Sequence, residues 1–204
     1  MPLVALLAVL LLVVACGGDN AKPADDVAAA TAVPRDAIVI RALGIDAPLT
    51  LKKLGAGALP SPDGAEDVAL YDFGVAGLGG APGGGNVVMA ARSLSEVACK
   101  GGAEPAPCKG AFFPLASVPP GERIDVTWKG ASYLYQVVSI CNLATRDFGD
   151  GLYRRTANEQ LTLLTGIGEL GPAGFSHTLV VIAKRAPVTQ SEPCPAGTKT
   201  GPAP

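Results

Sequence analysis

The chain has 204 residues, of which 49% are hydrophobic, 17% charged and 5% aromatic, with 26 Gly and 18 Pro. That apolar content excludes disorder over most of the length, and a formal net charge of −2, from 16 basic and 18 acidic residues, leaves no dominant basic face for nucleic acid. A single long apolar run excludes a polytopic membrane protein, and the length sets an expectation of one folded domain.

The apolar run comes first: residues 2–14 read PLVALLAVLLLVV, followed by Ala15-Cys16-Gly17-Gly18. It is short for a bilayer span, which needs about 20 residues, and it matches the apolar region of a secretory signal. No Lys or Arg precedes it. Its end, Val13-Val14-Ala15-Cys16, resembles the lipobox of bacterial lipoprotein signals. The resemblance implies a signal peptide over residues 1–15, cleavage before Cys16, and acyl chains on Cys16 that hold the protein on the cell membrane from the extracytoplasmic side. The competing readings are an ordinary secretory signal or a buried apolar helix. Residues 16–36 lack apolar periodicity and read as the lipidated cysteine and a flexible tether. The domain then spans residues 37–186, enough for one core, and residues 187–204 form a Pro-rich tail.

Within the domain the apolar runs are short, β-branched and bounded by Gly or Pro. Strands are expected over Ala37–Leu43, Ala47–Leu51, Val68–Phe73, Asn86–Ala91, Arg123–Trp128, Ala131–Leu143, Gln160–Thr165 and Thr178–Lys184. Ile124, Val126 and Trp128 alternate onto one face, and Tyr133, Tyr135 and Val137 onto another. Trp128-Lys129-Gly130-Ala131 reads as a hairpin turn between antiparallel neighbours. Helical signal is confined to a short turn near Ala111–Ala116. The Gly-rich run from Gly77 to Gly85 lacks a following Gly-Lys-Ser/Thr and leads into a strand, so it reads as a flexible loop and not a phosphate cradle. No cofactor is expected. The fold class is all-β, a closed barrel or a sandwich.

There are five cysteines: Cys16, Cys99, Cys108, Cys141 and Cys194. Setting Cys16 aside for lipidation leaves an even number in a compartment that permits disulfides. Cys99 and Cys108 lie nine residues apart in a Gly/Pro/Ala-rich segment and fit a bridge, with free thiols or a metal pair as alternatives. No further His or Cys sits at ligand spacing, which argues against a metal. Cys141 and Cys194 either pair with each other or stay free.

The ordered segments carry a resemblance. Ile38–Ala47 (IVIRALGIDA) is followed by Pro48-Leu49, then Leu59-Pro60-Ser61-Pro62, Tyr71-Asp72-Phe73-Gly74 and Asn86-Val87-Val88-Met89-Ala90. Next come Ala111-Phe112-Phe113-Pro114-Leu115, Pro120-Gly121-Glu122-Arg123-Ile124-Asp125-Val126, Leu161-Thr162-Leu163-Leu164-Thr165 and Leu179-Val180-Val181-Ile182-Ala183. This set resembles the sortase family, nearest its class E and class F branches, over about 150 residues. The resemblance implies a closed eight-stranded β-barrel with little helix, and a cysteine transpeptidase that uses a nucleophilic Cys, a His and an Arg.

The chain departs from that triad at each place. The family His position, after Asn86–Ala91, holds Arg92; the Cys position, after Thr165, holds Gly166; and the Arg position falls on one of Ser176, His177 or Thr178. Glycine cannot be acylated, and a guanidinium does not shuttle protons near neutral pH. No catalytic residue carries over, so the expectation is a non-catalytic module that binds a peptide or an anion, with an envelope peptide or protein as partner. The residues expected to line its groove are Arg92, Thr165, Gly166 and His177. Three rescues of chemistry are weighed: Cys141 as a displaced thiol nucleophile, Thr165 with His177 as a hydroxyl–imidazole pair, and Arg92 with Arg154 and Arg155 as an anion clamp. Against them stand a disulfide or buried cysteine, an ordinary strand threonine, and solvated arginines.

Overall fold

In a computed structural model the described residues are 35–54, 59–74, 77–95, 108–144, 150–172, 174–187 and 192–194. The leader, Cys16, the tether up to residue 34 and Cys99 lie outside them, as does most of the tail beyond residue 187.

Among the described residues there are ten strands: β1 Ala37–Ile40, β2 Ile45–Lys53, β3 Val68–Asp72, β4 Asn86–Ala90, β5 Leu94–Ser95, β6 Cys108–Lys109, β7 Arg123–Trp128, β8 Ala131–Ala144, β9 Gln160–Gly171 and β10 Gly174–Arg185. Eight of them close a barrel in the order β1-β2-β3-β4-β9-β10-β8-β7, and β5 with β6 forms a separate two-stranded sheet. β2–β3 and β4–β9 are parallel, while the other barrel pairs are antiparallel. The barrel expected from the resemblance is therefore the fold observed.

Alternation builds the interior. Ile38 and Ile40, Leu70, Val87 and Met89, Ile124, Val126 and Trp128, Tyr135 and Val137, Leu161 and Leu163, and Leu179 and Val181 meet in one core cluster. The expected turn joins β7 to β8, with Lys129 at φ 49° and Gly130 at φ 77°, the two left-handed residues of a tight hairpin. Several strands are apolar on both sides because their outer face is buried too. Tyr71, Val88, Val138, Cys141, Leu164, Val180 and Ile182 form a second cluster, closed from outside by Leu152 and flanked by Leu54, Leu59, Leu78 and Tyr153.

Three boundaries differ from the sequence expectation by three or more residues. Arg41–Leu43 is a 3-10 turn and not the end of a strand, because Gly44 (φ 66°) takes the left-handed conformation that reverses the chain into β2. β9 continues through Gly166 and Gly168 to Gly171, and β10 begins at Gly174 instead of Thr178. The glycines that read as a strand end lie within the ladder instead. The Gly-rich loop is tied down where it is described: Gly79 N–H donates to Tyr153 O, Arg155 N–H to Gly77 O, and Gly83 N–H to Glu159 Oε2.

Candidate functional site

β4, β9 and β10 lie side by side, and their register brings the residues after β4 beside Gly166 and sets Gly166 opposite Thr178. Ala90 is opposite Leu164, Ala91 N–H donates to Leu164 O at 3.2 Å, and Thr178 is opposite Gly166. Ser93 Oγ donates to Gly166 O at 2.5 Å, fastening the residue after Arg92 to Gly166. Val88, Leu164 and Val180 face the outer cluster. Period-two alternation puts Arg92, Gly166 and Thr178 on that same face, at the barrel end where β4 stops and β10 starts.

Arg92 is half-buried, and its Nη2 donates to Pro62 O at 3.4 Å. Its Nε is shielded from solvent without a hydrogen-bond partner. Gly110 underlies this residue: a Cβ there would stand 2.1 Å from Arg92 O. Thr165 is buried, and its hydroxyl donates to Ala91 O at 2.9 Å. His177 is opposite Ile167, while Thr165 is opposite Leu179. The imidazole meets Ser176 instead, Oγ to Nδ1 at 2.9 Å, and Ser176 Oγ also accepts the Glu169 N–H at 3.2 Å. The threonine hydroxyl and the only histidine are thus each engaged elsewhere.

The arginine clamp is not assembled. Leu78 bridges to Arg154, and the side chain of Arg155 lies against Gly84 and Gly85, just before β4 begins. Arg92 follows the other end of β4, roughly 20 Å away at strand rise. Arg154 and Arg155 are exposed, as solvated charges at loop ends should be.

The sulfurs are accounted for where they are described. Cys141 and Cys194 form a disulfide, S–S 2.05 Å and Cα–Cα 5.8 Å, and Cys141 is 1% exposed. The sulfur weighed as a displaced nucleophile is therefore not a thiol. Cys108 is also in a disulfide; Cys99, its expected partner, lies outside the described residues.

Three features were missed by sequence reasoning. Phe175 lies over Gly166, so that a Cβ on Gly166 would meet Phe175 Cδ2 at 2.2 Å, Cγ at 2.7 Å and Cβ at 3.0 Å. Asn142, opposite Leu179, has a buried Oδ1 with no partner. At the opposite end of the barrel Glu159 accepts from the Tyr135 hydroxyl and lies 3.8 Å from Arg185, whose guanidinium covers the rings of Tyr133 and Tyr135 at 5.1 and 5.8 Å. Burial first, and the Glu159 hydrogen bond second, hold the Tyr135 hydroxyl protonated far above its ordinary range. The Phe175 contact is made between two strands across a register shift in which β9 carries the extra residue, and the Glu159 contacts join residues distant in sequence; neither leaves a local pattern to read.

No family model matches the sequence, and no curated protein matches it. Solved structures do. Sortase A from Corynebacterium diphtheriae, in a lid-mutant form, is 22% identical with a TM-score of 0.52 over 76% of this chain and 72% of that one. Sortase C-1 from Actinomyces oris is 21% identical with a TM-score of 0.54 over 74% and 73%. Sortase C1 from Streptococcus agalactiae is 24% identical with a TM-score of 0.53 over 76% and 68%. At such identities the likeness is one of fold: this chain is built on the eight-stranded sortase barrel.

Proposed function

We propose that this chain is a degenerate sortase homologue, nearest in its segment order to classes E and F, held at the cell envelope by acyl chains on Cys16 and without transpeptidase activity. It acts as an extracytoplasmic accessory module that binds an envelope peptide or protein through the face carrying Arg92, Gly166 and Thr178. One observation carries the reading: where the resemblance puts the nucleophile, Gly166 has no side chain, and Phe175 fills the space one would take. Covalent catalysis fails when the nucleophile alone is lost, because triad members act as a unit. Arg92, in the histidine's place, cannot serve as acid for a departing amine. The alternative of Cys141 as nucleophile loses support from its bond to Cys194. A second reading, a structural envelope protein with no ligand, draws on the same Phe175 contact, since a filled face needs no partner.

The test incubates the purified full chain with sorting-signal peptides and an amine acceptor under non-reducing conditions. No cleavage, no acyl-enzyme by mass spectrometry and no ligated product are expected; turnover by the wild-type chain overturns the proposal. Anchoring is tested separately by replacing Cys16 with Ser in the producing cell, which should release the protein from the membrane fraction.

A further inference from the structure

β8 outruns β7. Their pairing ends at Arg123 opposite Gln136, and beyond it Gly121 N–H donates to Val137 O and Val137 N–H to Glu122 O. β10 accompanies β8 on to Ala144, with Val138 as an extra residue on β8 between the Ser139–Ile182 and Val137–Ala183 pairs. The chain returns to this stretch after β10. Glu192 N–H donates to Val138 O at 2.8 Å, the Glu192 carboxylate pairs with Lys184, and Cys194 is bonded to Cys141. One backbone hydrogen bond and one solvent-reached ion pair contribute little by themselves, so the disulfide is the main hold on residues 192–194. Its two sulfurs differ in access. Cys141 is buried in the outer cluster, whereas Cys194 is half-buried and lines an open pocket of about 260 Å³ with Pro120, Ile140 and Pro193. The buried Ser139 hydroxyl lies 3.4 Å from Cys141 Sγ and 3.6 Å from Cys194 Sγ. Neither bonded sulfur carries a proton, so Ser139 is the donor.

We propose that Cys194 is an entry point for thiol–disulfide exchange, and that the Cys141–Cys194 bond is a latch on the returning segment, opened by a protein dithiol. A thiolate of that partner bonds to Cys194 Sγ; the S–S bond breaks and Cys141 leaves with its electron pair. The Ser139 hydroxyl is placed to donate to the new thiolate, which eases its departure. The partner's second thiolate then displaces Cys194. The partner ends oxidised to a disulfide, and this chain holds two thiols whose protons come from the partner's two. Residues 192–194 come away, and Val138 O and the edge of β8 beside it are uncovered while the barrel ladder stays paired. The latch goes beyond the function proposed above and does not depend on it.

The experiment uses the full chain in detergent, without denaturant, and has three arms. In the first, reduced glutathione is the probe, and acid-quenched samples are mapped by peptide mass spectrometry. The first adduct is expected on Cys194, with Cys141 as a thiol; an adduct on Cys141 instead, or none until urea is added, overturns the entry point. In the second, dithiothreitol opens the bond in wild type, Ser139→Ala and Ser139→Thr. Opening should be about threefold slower in Ser139→Ala, restored in Ser139→Thr, and unchanged at the Cys108 bridge. A role in packing alone would speed opening in Ser139→Ala, and equal or faster opening there overturns the assignment of Ser139. In the third, hydrogen exchange follows reduction. Exchange at Glu192 should rise about tenfold while β4 and β9 stay protected, and the Cys141→Ala/Cys194→Ala chain, which keeps the Cys108 bridge, should match. Retained protection at Glu192 overturns the latch, as does exchange that rises through the barrel.

Discussion

Gly110 follows β6 and sits beneath the backbone of Arg92, with its own N–H on Ser93 O at 2.8 Å. A Cβ there would be 2.1 Å from Arg92 O and 2.6 Å from its carbonyl carbon, so relief requires backbone movement. Gly110→Ala is expected to cost about 1–3 kcal/mol, read as a lower urea midpoint; an unchanged midpoint contradicts the packing. A second residue-scale test concerns the polar pair buried between β4 and β9. Asn86 Nδ2 donates to Leu152 O at 2.7 Å, and Thr162 Oγ1 donates to Asn86 Oδ1 at 2.8 Å while accepting from Gln160 Nε2 at 3.1 Å. Thr162→Val keeps the shape and strands the Asn86 oxygen, with an expected loss of about 1–3 kcal/mol by the same assay. That pair ties the loop before β9 to the barrel wall, so the variant should also raise the rate of proteolytic cutting near Leu152.

At the scale of elements, period-two alternation was enough to place β7, β8 and the Lys129-Gly130 turn, because each has one buried face and a turn with a strong local preference. The closed order of the barrel came from the family resemblance and not from periodicity. The glycines of β9 mislead because a glycine that ends a strand and a glycine on which a neighbour packs look alike in sequence, while before Gly44 the apolar run looks like strand although the chain already turns into the left-handed glycine. Of the site, the resemblance points to Arg92, Gly166 and one of Ser176, His177 or Thr178, whereas the Phe175 contact leaves no trace in the sequence, since it is made between two strands whose register shifts between them. The pairing of Cys141 with Cys194 is one of the two alternatives the sequence left open, and it is decided by the tail returning to β8, where Glu192 N–H donates to Val138 O at 2.8 Å. That disulfide closes a sequence separation of 53 residues. The chain-entropy model assigns such a loop about 4 kcal/mol. Replacing both cysteines with Ala should therefore lower unfolding stability by about 2–4 kcal/mol, while the far-ultraviolet circular dichroism at 20 °C stays that of the barrel; a loss under about 1 kcal/mol says the tail adds nothing to the fold.

Across the whole molecule, the barrel is buried on both sides of β3, β4, β9 and β10, and its tyrosines are drawn into that burial. Tyr71, 1% exposed in the outer cluster, donates its hydroxyl to Pro60 O at 2.7 Å. Burial pushes its pKa from the ordinary 10 up to about 12, and Tyr135 moves in the same direction. The protonated phenol is the form the fold prefers. Below pH 10 both folded and unfolded chains hold that proton, and the contribution to stability is complete. Between 10 and about 12 the unfolded chain loses it first, so stability falls with rising pH, and above the folded value the contribution is gone. For Tyr71 this amounts to about 2–3 kcal/mol, at most about 1.4 kcal/mol per pH unit. Urea midpoints should thus decline steeply from pH 10 upward. Tyr71→Phe starts lower at pH 8 for want of the Pro60 hydrogen bond, yet should fall less between pH 10 and 12 than wild type. If the two proteins decline in parallel, the alkaline transition belongs to other groups and Tyr71 is not held protonated by the outer cluster.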